Sequence, residues 1–97
     1  LLTLPYFNHV EEHVWHLFVV KTQHRDTFQR YLAASGVQSL IHYPIPPHKQ
    51  QAYSSMADIS LPITEAMHEQ VVSIPISPVL SEDDVARVIE VCNSFCL

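Results

Sequence analysis

The chain is predicted to fold as a small α/β (α+β) two-layer domain, with about three short strands and helices packed on the sheet. Three observations carry this expectation. Short apolar stretches rich in β-branched residues recur at 14–20, 37–41 and 71–76. Stretches with apolar residues at helical spacing lie between and after them. A single glycine and seven prolines punctuate the boundaries.

The segment from Val14 to Val20 places apolar side chains on both alternate faces, the pattern of a strand covered on both sides, and Lys21-Thr22 end it. From His24 to Ser35 the period changes. Phe28, Tyr31, Leu32 and Ser35 share one stripe, with Arg25, Asp26, Gln29 and Arg30 mostly opposite, which predicts an amphipathic helix. Gly36 follows where a left-handed C-terminal cap is wanted. Val37 to Ile41 reads as a second strand, and His42-Tyr43-Pro44-Ile45-Pro46-Pro47-His48 as a stiff, extended loop, since each proline restricts itself and its predecessor. Lys49 to Tyr53 is expected to make one helical turn, and Ser54 to Ser60 a polar connector. Pro62 suits a first helical position, and the helix it opens runs to about Gln70 with Ala66, Met67 and Val71 buried. Val71 to Ile76 is the third strand, closed by Pro75 and Pro78. Ser81, with Asp84 three residues later, has the form of a capping box. Val85, Val88, Ile89, Cys92, Phe95 and Cys96 then follow at helical spacing.

Ninety-seven residues support one domain, 1–97. Area scaling gives a folded surface of roughly 5,700 Å² against roughly 16,000 Å² unfolded, enough for one thin core. Apolar residues make up 47% and charged ones 15%, so the composition is that of a folded domain hiding apolar surface against a partner. The net charge is −5 and the five Lys/Arg are scattered, which argues against nucleic-acid binding. No apolar run is long enough to span a bilayer, so no membrane partner is expected. Cys92 and Cys96 read as reduced core thiols of a cytoplasmic protein.

Seven histidines are the conspicuous excess. His9-Val10-Glu11-Glu12-His13 matches the His-x-x-Glu-His pattern of inverted zinc peptidases, with His16 as a third ligand. That chemistry needs a helix, and His13 instead runs into a strand, so a polar lead-in is the preferred reading. One glycine allows neither a nucleophile elbow nor a phosphate-cradling loop, and no complete catalytic set is present. What remains is the proline-held loop, whose His42, Tyr43 and His48 are either preorganised toward a ligand or shape a surface connector.

The stretches His16-Leu17-Phe18-Val19-Val20, His24-Arg25-Asp26, Tyr31-Leu32, Gly36-Val37 and Ile41-His42-Tyr43-Pro44-Ile45-Pro46 resemble the C-terminal small domain of the DegT/DnrJ/StrS sugar aminotransferases. Gln50, Ala52-Tyr53, Leu61-Pro62, Thr64-Glu65, Ser73-Ile74-Pro75 and Leu80-Ser81 resemble the same family's closing segments. The resemblance implies the small domain of the aspartate-aminotransferase fold, a fragment of a pyridoxal-phosphate (PLP) enzyme that moves an amino group from glutamate to a keto sugar nucleotide. Such enzymes serve polysaccharide or lipopolysaccharide synthesis. The Schiff-base lysine would lie in a large domain upstream, so this chain alone would bind no PLP and catalyse nothing. His42 and Tyr43 would border the active-site mouth and contact the substrate, with His48 at the same rim. The implied partners are the large PLP domain, the sugar nucleotide and a second copy in a homodimer. The rival expectation is a free-standing, non-catalytic binding or assembly domain.

Overall fold

The computed structural model describes all residues, 1–97. Its regular elements are β1 (Phe18–Lys21), α1 (Arg25–Ala34), α2 (Pro62–Gln70), β2 (Val71–Ile74) and α3 (Glu82–Asn93). Short 3₁₀ turns occupy Val10–Glu12, Pro47–Lys49 and Gln51–Met56. No helix is long and apolar enough to cross a membrane.

β1 and β2 pair antiparallel, with Phe18 opposite Ile74 and Val20 opposite Val72. Because side chains alternate, these four residues face one side, where α1 and α3 cover them. There Val20, Val72, Phe28, Leu32, Val37, Val91 and Phe95 form the core. Phe95 closes it, with ring centroids 4.9 Å from Phe28 and 5.4 Å from Tyr31. The opposite sheet face carries Val19 and Ser73, also paired, and turns toward the loop region.

The second expected strand, Val37 to Ile41, is reduced to one antiparallel bridge between Leu40 and Ser73, so the sheet has two strands rather than three. Val37 is drawn into the core and Ser39 accepts a hydrogen bond from Gln29 of α1, so the segment follows the helix rather than the sheet. A second single bridge joins Thr3 to Lys21 at the other edge. Val14 to Leu17 is not strand. His13 Nδ1 accepts from the Trp15 amide, and Trp15, at φ +53°, stacks between His13 and Phe18. These contacts turn the chain before the ladder begins. β2 stops at Ile74 because Pro75 has no N–H to donate.

The helix ends follow their sequence signals. Gly36 takes φ +76° and donates to Ala33, while Val37 donates to Leu32, closing α1. Pro62 opens α2 and Ser81 with Asp84 makes the reciprocal capping box of α3. Two buried-face expectations need correction. Met67 is exposed, because the α2 face it shares is not covered. On α3 the core meets Val88, Val91, Cys92 and Phe95, leaving Val85, Ile89 and Cys96 exposed. Val85 and Ile89 instead line an apolar groove of about 360 Å³ with Leu4, Ile76 and Leu80. Both cysteines are free thiols, and burial pushes that of Cys92 upward.

The exposed surface is 7234 Å², well above the roughly 5,700 Å² expected for a compact chain of this mass. The radius of gyration, 15.3 Å, likewise exceeds the roughly 12.5 Å of a close-packed domain.

Candidate functional site

The bridge at Leu40 brings the chain past β2, and His42 follows at the sheet edge. Its Nδ1 lies 2.8 Å from Ser73 Oγ, a buried hydroxyl on β2. The peptide bond from His42 to Tyr43 is cis. The two rings meet edge to face at 5.4 Å, and Tyr43 is 64% exposed. The Tyr43 carbonyl accepts from His68 Nδ1 in the last turn of α2. A carbonyl can only accept, so His68 carries its proton on Nδ1. The corner is therefore fixed by its backbone and by the His42 ring, while the tyrosine side chain points outward. Beside His42 opens a cleft of about 920 Å³, lined among others by His16, Gln29, Arg30, Ser39 and Ser73. These groups supply hydrogen-bond donors and one permanent cation.

His48 has a different place. It is buried, 2% exposed, and its Nε2 lies 2.8 Å from Glu65 Oε1. The same oxygen accepts from the Leu61 amide at 3.0 Å, with Lys49 Nζ at 3.9 Å. The hydrogen bond from His48, then that from Leu61, holds the Glu65 carboxyl below the usual carboxylate range. Lys49 Nζ also donates to the Ala57 carbonyl at 2.7 Å, and Gln50 to that of Ile45 at 3.2 Å. The proline loop is thus clipped to α2 from behind. His42 and Tyr43 stand on its open side and His48 beneath it. Sequence reasoning passed over Ser73, His68 and Glu65 as partners of this loop. They lie 31, 25 and 17 residues from the groups they hold. No local spacing signals pairs so far apart.

The His9–His13 motif falls on a single 3₁₀ turn, Val10–Glu12. There Glu12 accepts from the Asn8 amide and His13 from that of Trp15. No three His, Cys, Asp or Glu side chains converge on one point. The residues present do not by themselves fit PLP either. Lys21 is the last residue of β1, paired with Thr3 and Val71. Lys49 is committed to Ala57 and Glu65. Neither stands with an acid for a ring nitrogen and a nest of amides for a phosphate.

The chain is 54% identical over 92 residues to the dTDP-3-amino-3,6-dideoxy-α-D-galactopyranose transaminase of Aneurinibacillus thermoaerophilus, a match spanning 95% of this chain and 25% of that enzyme. The crystal structure of Streptomyces venezuelae DesV in complex with a ketimine intermediate superposes with a TM-score of 0.85. It is 40% identical, over 94% of this chain and 25% of DesV. NtdA of Bacillus subtilis, solved with bound cofactor PMP, gives a TM-score of 0.81 at 32% identity, over 93% of this chain and 22% of NtdA. The chain therefore spans about a quarter of the length of the relatives it matches. The sequence profile of the DegT/DnrJ/EryC1/StrS aminotransferases matches residues 2–93, and this chain belongs to that family.

Proposed function

We propose that these residues form the C-terminal small domain, 1–97, of a PLP-dependent nucleotide-sugar aminotransferase that passes an amino group from glutamate to a keto sugar nucleotide. The observation carrying this reading is the 54% identity to a dTDP-sugar transaminase across 95% of this chain but 25% of the enzyme. In the whole protein, the upstream large domain supplies the lysine and the cofactor pocket. This segment supplies the His42–Tyr43 corner, which faces the sugar nucleotide and excludes water from it. Tyr43 offers an exposed ring and hydroxyl, and His42 a ring whose orientation Ser73 fixes. His48, assigned to the same rim from its sequence, acts from beneath by holding the loop to Glu65. The surface beyond that of a compact chain, and the apolar groove along α3, are covered by the large domain within a cytoplasmic homodimer.

The test is a chimera in which this chain replaces the matching quarter of the Aneurinibacillus thermoaerophilus transaminase. The chimera is expected to transaminate its dTDP-keto sugar from glutamate, and His42→Ala or Tyr43→Ala to raise KM for the sugar nucleotide. The 97-residue chain with PLP should show no aldimine absorbance and no turnover. A folded, PLP-loaded chimera without activity sinks the reading, as does turnover by the chain alone. Stable self-association of the isolated chain, paired with an inactive chimera, would favour the free-standing assembly domain.

A further inference from the structure

With its side chain 64% exposed, Tyr43 is not held by packing, and its position depends on what grips its backbone. That grip is the hydrogen bond from His68 Nδ1 to the Tyr43 carbonyl. His68 is itself anchored. Its own carbonyl, near the open C-terminal end of α2, accepts from Arg25 Nη1 at 2.6 Å. Arg25 opens α1, and its side chain is only 20% exposed, so the anchor reaches the layer that covers the core. Arg25, His68 and Tyr43 thus form a continuous tie from α1 through the end of α2 to the corner. Ser73 holds the other half of the corner through His42.

We infer that His68 is a positioning residue for the His42–Tyr43 corner, with Arg25 as its anchor. The inference rests on the reading of that corner as substrate-facing. Imidazole suits the role because its Nδ1 proton lies close to the backbone and can serve a neighbouring carbonyl without a long, mobile side chain. An asparagine brings its amide donor to the place of Nδ1, and alanine cannot.

Two measurements test it. In the 97-residue chain, ring ¹⁵N shifts should report a proton on His68 Nδ1. His68→Ala should lower the backbone order parameters at 43 and 45 from about 0.85 to about 0.6, and His68→Asn should restore most of that order. In the chimera, His68→Ala should raise KM for the dTDP-sugar about five- to tenfold with kcat within about twofold, and His68→Asn should recover it. A ring without a proton on Nδ1, or order parameters and KM both unchanged in His68→Ala, overturns the inference. If His42→Ala and Tyr43→Ala raise KM while His68→Ala does not, positioning fails and the substrate reading stands. If His68→Ala loosens the corner while His42→Ala and Tyr43→Ala leave KM unmoved, the substrate reading fails and the tie stands.

Discussion

Replacing His48 by alanine is the sharpest test of the clip behind the loop. The ring is 2% exposed, so truncation leaves a void in a packed site. Large-to-alanine changes in such places cost about 2–4 kcal/mol. Against this stands the ring's own Nδ1, which is buried without a hydrogen-bond partner in the native fold. Removing an unsatisfied buried group relieves about 1 kcal/mol. Packing wins, and the net loss is about 1–3 kcal/mol, a fall in Tm of roughly 5–20 °C for a chain this size. Thermal and urea unfolding measure it. His48→Leu comes close to the ring's volume, loses the Glu65 bond and also removes the orphaned nitrogen, so it should lose less than His48→Ala. A fall below about 2 °C for His48→Ala at unchanged m-value, or a larger loss for His48→Leu, would show that packing around the ring does not hold the loop.

Glu65 gives a pH dependence of known sign. Its folded pKa lies below the ordinary 4.5, so the stabilisation is complete above that value and disappears as pH falls through the lower folded value. Acid unfolding should show this limb, and Glu65→Gln should reduce it to the part left by Asp84, whose carboxyl the Ser81 hydroxyl and then the Ser81 amide likewise hold below its ordinary value. Gly36→Ala should cost about 1–2 kcal/mol in urea unfolding, because a Cβ there meets nothing within 4 Å and the penalty is that of φ +76° alone. Gly36→Asn should lose less. Cys96 should be alkylated well before Cys92 under native conditions, since the former is exposed and burial raises the thiol pKa of the latter. Equal rates by mass spectrometry would contradict this placement.

The elements legible in the sequence were those with a local cause. Gly36, Pro62 and the Ser81–Asp84 box each mark a helix end through the backbone groups they satisfy or free, and the helices begin and end there. Strand lengths were not legible, because pairing depends on a partner fifty residues away and on side chains that compete with the ladder. Val14 to Leu17 is the clearest instance: its β-branched pattern is outweighed by the stacking of Trp15 on His13 and Phe18. On α3 the spacing identified a helix, but not which part of its apolar surface meets the core, and Val85 and Ile89 fell on the open side. The corner at His42 and Tyr43 is marked by the prolines that follow it, and family resemblance supplies its expected role. Its supports at Ser73, Glu65 and His68 required the three-dimensional arrangement.

The path of the chain between Ile41 and Leu61 has an evolutionary consequence. It leaves just after Leu40 touches Ser73 and returns through α2 into the same strand, so both ends of the excursion are moored within one small patch of sheet. None of the seven residues of the core lies within it. Apart from His48, whose buried ring ties the excursion to Glu65, length and composition there can drift at little cost to the scaffold, since closing a somewhat longer loop between fixed ends adds only a fraction of a kcal/mol, roughly 0.6 per doubling. A lineage could in this way exchange one recognition surface for another while inheriting the same frame.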